Sequence, residues 1–135
     1  MKLIICFVAL LLSFGSPVMA ADDVATAQGI IRAQLEAMDR DDAAGAYAHA
    51  SLDIRGLFPE PDGFMAMVRR NYAAVHHHKS FEFGDSRAAA GRVIQEVRIV
   101  DTDGVPWQAI YTLEQQPDGS FKITGCTLKA VGTPA

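Results

Sequence analysis

Cysteine is almost missing from this chain: Cys6 and Cys126 are the two present, and Cys6 falls in a leader-like stretch. A domain left with Cys126 alone has no internal disulfide and must be held together by its core. Basic charge is also short. Twelve Lys and Arg face sixteen Asp and Glu, for a formal charge of −4, and the pI is near 5.4. That balance excludes the basic stripe a nucleic-acid partner requires; the one basic cluster, Arg69-Arg70, belongs to an otherwise ordinary helix. No apolar run reaches the roughly 20 residues that a membrane-spanning helix needs. There is no Gly-x-Ser-x-Gly elbow and no phosphate-cradling glycine loop, and no cofactor is expected. Cys126 follows Gly125 in a strand-like segment, without a helix N-terminus or a nearby histidine in sequence to activate its thiol.

What is present begins with "MKLIICFVALLLSFGSPVMA". One lysine, an apolar run over Leu3 to Leu12 and a small-residue end at Val18-Met19-Ala20 make a secretory signal peptide, with cleavage expected after Ala20. Residues 1–20 are therefore a leader and residues 21–135 one domain by length. Losing the single charge of Lys2 takes the formal charge from −4 to −5. The mature chain is expected to be exported, periplasmic if the source is Gram-negative, with no stable membrane insertion.

The first half of that domain reads as helical. Asp22 and Asp23 are natural N-caps, and Val24, Ile31, Leu35 and Met38 recur at helical spacing after them. Asp41 or Asp42 can cap a second, alanine-rich helix to about Ala50, weakened by Gly45. "SLDIRGLFPEPDG" is a connector with one helical turn, stopped by prolines 59 and 61. Asp62 is then placed to cap a third helix, along which Phe64, Val68, Tyr72 and Val75 repeat. From Lys79 the period changes to two. Strands are expected at Lys79–Ala88, Arg92–Asp101, Pro106–Gln115 and Ser120–Lys129, separated by Ala90-Gly91, "DTDG" and "PDGS". Three short connections make a meander, and helices followed by an antiparallel sheet make an α+β fold with the helices on one sheet face.

"IIRAQLEAMDRDDAAGAYAHAS", "FMAMVRRNY" and "YTLEQQPDGSFKITGC" resemble, in order and spacing, a bacterial family known as domain of unknown function 4864. The resemblance covers nearly all of residues 21–135. It implies a nuclear-transport-factor-2-like cone, of the kind seen in steroid isomerases and polyketide cyclases: a few helices folded over a curved four-stranded antiparallel sheet. It supplies no catalytic residue to carry over. Phe121 stands where many members have tryptophan, which keeps an aromatic at that strand position.

Three of the four histidines lie together in "YAAVHHHKSFEF". Strand alternation puts His77 and Lys79 in phase with Phe81 and Phe83, and His76 and His78 with Ser80 and Glu82. Histidines two apart on a strand are a possible zinc spacing, with Glu82 as third ligand. Nothing else completes that set, so no metal is expected. "DTDG" lacks the further oxygen ligands of a calcium loop and reads as a hairpin turn. For acid–base chemistry the candidates are Asp42, Asp53, Glu96 and His49, with Tyr47, Tyr72 or Tyr111 as donors, and spacing singles out none of them.

The aromatic positions say more. Trp107, Ala109, Tyr111 and Leu113 share one face of the third strand, and Phe64, Val68 and Tyr72 share one face of a helix. If these meet they build a core or line an apolar pocket, with Tyr47 a further candidate for its wall. The expected role is a non-catalytic module for a small apolar ligand or a protein partner. The alternative is a small isomerase, dehydratase or hydrolase using a cavity carboxyl or His with a Tyr. Strand two is apolar on both faces, Val93, Val97 and Ile99 against Ile94 and Val100, which suggests a homodimer through the outer sheet face with Ile110 or through its opposite.

Overall fold

The computed structural model describes residues 17–132. Among the described residues five helices come first: α1 (Pro17–Asp39), α2 (Ala43–Tyr47), α3 (Leu52–Leu57), α4 (Pro61–Asn71) and α5 (Ala73–His76). Four strands follow: β1 (His78–Ala89), β2 (Arg92–Asp101), β3 (Pro106–Gln115) and β4 (Phe121–Ala130). They form one antiparallel sheet in the order β1-β2-β3-β4. The apolar run Leu3 to Leu12 lies outside the described residues.

Period-two alternation groups the strand residues by face, and helix packing decides which face is covered. Val93, Val97 and Ile99 of β2 and Ala109, Tyr111 and Leu113 of β3 are buried under the helices, so Ile94, Val100 and Ile110 point the other way. α1 lies across the covered face on Ala27, Ile31, Leu35 and Met38, all buried, a spacing that makes one helical stripe. The hairpins follow local chemistry. Ala90 and Gly91 both have positive φ (51° and 75°), the two-residue turn whose twist suits flanking strands. In the next turn Asp101 Oδ1 accepts from the backbone N–H groups of Asp103 and Val105 at 2.9 and 2.8 Å. Its Oδ2 accepts from Trp107 Nε1 at 2.9 Å, so "DTDG" is a hairpin built on one carboxylate.

Bulges bend the sheet. The β1 register shifts between His78 and Ser80 and again between Phe83 and Ser86. The second bulge leaves the Gly84 and Asp85 carbonyls turned inward, and the buried Gln95 answers them. Its Nε2 donates to Gly84, Asp85 and Glu96 oxygens at 3.1, 3.3 and 2.7 Å, while its Oε1 accepts from Gln28 at 3.0 Å. A polar residue in the core is thus the cost of curvature, and it is satisfied.

Helix bounds differ from the sequence reading in four places. Asp22 and Asp23 lie inside α1, which already runs from Pro17. α4 is entered from Glu60 with Pro61 in its first turn, so Asp62 is a first-turn acid, favourable to the helix dipole, and not the cap. The helix expected to carry Val75 breaks at Tyr72 (φ −134°, ψ 47°), and α5 restarts behind it. Asp42 does cap α2, accepting from Gly45 N at 2.9 Å, but α2 ends at Tyr47 and not near Ala50.

Candidate functional site

Between the helices and the β3–β4 end of the sheet is a cavity of about 430 Å³. β4 is an edge strand, and the chain after α2 is pinned beside it: Ser51 N donates to Ile123 O at 2.9 Å and Ile123 N to His49 O at 2.8 Å. That pinning holds α3 and α4 away from β3 and leaves the space. α1 contributes Gln34 and Met38; α4 contributes Phe64, Met67 and Val68; Tyr111 and Cys126 come from the sheet. Phe58, Tyr72 and Val75 complete most of the apolar wall.

Tyr72 and Tyr111 play different parts. Tyr72 O–H donates to the Cys126 carbonyl at 3.1 Å, tying the α4–α5 break to β4. Tyr111 is 1 % exposed, and its hydroxyl has no hydrogen-bond partner. It sits beside the Cys126 thiol, its cross-strand neighbour, a group too weak an acceptor to satisfy it. Burial pushes the Tyr111 phenol well above the usual tyrosine range and raises Tyr72 as well. Burial likewise pushes the Cys126 thiol up to about 12, with the Tyr111 hydroxyl offsetting part of that. Every titratable group on the cavity wall therefore keeps its proton at neutral pH. The wall contains no Asp, Glu, His, Lys or Arg among the described residues.

Of the aromatic and apolar candidates, Phe64, Val68, Tyr72 and Tyr111 line this cavity. Tyr47 stands behind the wall: its O–H donates to Phe58 O at 2.7 Å and its ring packs on Phe64. Trp107 is on the covered face but at the far end of β3, held by Asp101. The acid–base candidates are dispersed. Asp42 is the α2 cap, Asp53 is exposed in α3, and Glu96 is on the outer face of β2. His49 is half-buried away from the cavity, and burial, then nearby Lys122, lowers its pKa. Sequence reasoning did not single out Gln34, Met38 or Phe58 for the wall. Only the packing of α1 and of the α3–α4 connector against β4 brings them there.

The histidines do not share a face. His76 is on α5, and the bulge at Lys79 turns His78 to the Phe81 side, ring centroids 5.6 Å apart. Glu82 stays exposed on the other side. Each buried histidine has its own carboxylate. His76 Nε2 lies 2.7 Å from Asp41 Oδ1, which also accepts from Arg69 at 3.2 Å. His78 Nε2 lies 3.0 Å from Asp39 Oδ2. Among the described residues no three His, Cys, Asp or Glu side chains converge as a metal site. Asp41 takes up φ 52° to reach its partners, and the pairs clamp the end of α1 to α4, α5 and β1. The outer sheet face shows Ile94 and Ile110, about one-third exposed, among Glu96, Arg98, Gln108 and Thr112.

One solved structure with a TM-score above 0.5 agrees with this architecture. An NTF-2-like protein of unknown function from Silicibacter pomeroyi DSS-3 superposes with a TM-score of 0.58 at 14 % identity, over 82 % of this chain and 98 % of that one. A second NTF2-like protein of unknown function, from Burkholderia pseudomallei K96243, gives 0.43 at 13 % identity, over 77 % and 89 %. No curated protein matched the chain. The family described as "Domain of unknown function (DUF4864)" matches residues 20–135. With an α+β cone of five helices over a curved four-stranded meander, this chain belongs to that family and has the NTF2-like fold.

Proposed function

We propose that this chain is an exported, non-catalytic module whose helix–sheet cavity holds a small apolar ligand. The observation that carries the reading is the chemistry of the cavity wall. Acid–base catalysis needs a group that titrates near working pH, and the wall offers only Tyr72, Tyr111 and Cys126, all raised. The volume, about 430 Å³, is within the range of roughly 300–1,000 Å³ usual for small-molecule sites. Export is supported by the leader pattern of residues 1–20. The buried stripe of α1 lies downstream of the expected cleavage point, at Val24, Ala27 and beyond.

Native mass spectrometry of untagged protein from the exported fraction tests both halves. The expected species starts at Ala21 and carries extra mass, which a Met67→Trp variant lacks because the indole narrows the cavity. A chain retaining residues 1–20 would end the export reading. Extra mass indifferent to Met67→Trp would end the cavity reading, and a bare dimer would move the role to the outer sheet face around Ile94 and Ile110.

A further inference from the structure

The cavity wall also limits what kind of molecule can occupy it. We infer that the ligand is neutral and largely apolar and carries a hydrogen-bond acceptor oxygen, most simply a ketone or ester carbonyl, to which the Tyr111 phenol donates, an inference that rests on the cavity being a ligand site.

Three observations lead there. The neighbouring buried donors are already spent: Tyr72 on the Cys126 carbonyl at 3.1 Å, and Gln34 Nε2 on the Ala46 carbonyl at 3.2 Å. Tyr111 Oη has only the weakly accepting Cys126 thiol beside it. It and Arg55 Nε are the two unpartnered buried side-chain polar atoms among the described residues, and Arg55 is not on the cavity wall. An unpaired buried donor costs stability, and an acceptor delivered by a ligand removes that cost. Cys126, beside the phenol on the same wall, has a short side chain that turns about one bond. Tyr111 Oη is closed to solvent, so an acceptor reaches it as the wall beside it yields, and Cys126 is its cross-strand neighbour on that wall.

Second, most of the remaining wall is apolar, built from side chains such as Met38, Phe58, Phe64, Met67, Val68 and Val75. Of its other polar side chains, Thr124 Oγ1 is spent on the Thr112 carbonyl at 3.2 Å and Asn71 is exposed. The two methionines let it adapt to an irregular shape. Third, the wall has no formal charge. A carboxylate or ammonium placed there would lose its hydration without gaining a counter-ion, which is strongly unfavourable.

The test uses matched probes: 9-fluorenone against fluorene, 1-tetralone against tetralin, and fluorene-9-carboxylate as the charged analogue. Dissociation constants are measured on the wild type, Tyr111→Phe and Met67→Trp, with urea midpoints confirming that each variant folds. In the wild type each ketone should bind about 3- to 10-fold more tightly than its hydrocarbon, the worth of one neutral hydrogen bond. In Tyr111→Phe that preference should vanish while the hydrocarbon affinities hold. The carbonyl stretch of bound fluorenone should lie at lower frequency in the wild type than in Tyr111→Phe. Equal affinity for ketone and hydrocarbon in the wild type, a preference surviving Tyr111→Phe, or carboxylate binding tighter than fluorenone would overturn the assignment. The cavity reading would survive those results as long as Met67→Trp weakens every probe. If no probe binds, or Met67→Trp changes nothing, the cavity reading falls and the assignment with it.

Discussion

Tyr111→Phe should make the ligand-free protein more stable, a sign opposite to that of most core substitutions. The Tyr111 hydroxyl is buried and unpartnered, and an unsatisfied polar group of this kind costs about 1–3 kcal/mol. Phenylalanine keeps the ring and loses only the oxygen, with its few dispersion contacts and its weak approach to the Cys126 thiol. A net gain of about 1 kcal/mol is expected, or about 3–5 °C in Tm for a domain of this size. The other tyrosines are internal controls. Tyr72 donates to Cys126 O at 3.1 Å and Tyr47 to Phe58 O at 2.7 Å, so Tyr72→Phe and Tyr47→Phe should each lose about 1 kcal/mol. The assay is urea unfolding at pH 7 on protein refolded from denaturant to strip any ligand, with unchanged m-values required before comparing midpoints. Loss of 1 kcal/mol or more in Tyr111→Phe, alongside the other two, would show that the hydroxyl is satisfied after all and would refute the reasoning.

Other perturbations have equally definite signs. Gln95→Leu conserves volume but strips the inward carbonyls of Gly84 and Asp85 of their donor; a loss of about 2–4 kcal/mol is expected, with faster amide exchange around the second β1 bulge. The Asp41 carboxyl is held below the usual range, by the His76 hydrogen bond first and the Arg69 bond second. Its contribution is therefore fully present above its unfolded pKa near 3.8 and is lost as pH falls through the lower folded value. Asn tolerates the positive φ at that position, so Asp41→Asn should unfold more easily than the wild type at pH 7 and converge with it as pH falls through the lowered folded value, read by urea midpoints. With its pKa pushed up to about 12, the native Cys126 thiol should alkylate at pH 8 about a thousandfold more slowly than in urea. Mass spectrometry of the Cys126 peptide checks this, and rapid native labelling would contradict the placement of the thiol.

Much of the fold was legible in sequence because it depends on local chemistry. The change from period 3.6 to period two at Lys79 and the turn residues at Ala90-Gly91, "DTDG" and "PDGS" placed all four strands within a residue of their bounds. Asp42 as a cap was equally legible, since capping is decided within one helical turn. The errors arose where one residue more or less has distant consequences. A single bulged residue at Lys79 moved His78 to the opposite face from the one alternation predicts, and with it the spacing that suggested a zinc site. Pro61 at the start of α4 displaced Asp62 from the cap, because proline is best placed where the N–H is unpaired anyway.

The sequence by itself therefore determined the order of helices and strands, the turns between strands, which residues share a strand face, and that Phe64, Val68, Tyr72 and Tyr111 are core or cavity residues. Which face of the sheet is covered was decided by packing. Tertiary structure alone decided that these four line a space while Tyr47 and Trp107 do not. That outcome depends on Ser51 and His49 bonding to Ile123 of the edge strand, contacts between segments some seventy residues apart. It also decided that one hydroxyl among three tyrosines stays unpaired, since whether a donor finds an acceptor depends on distances no sequence spacing encodes.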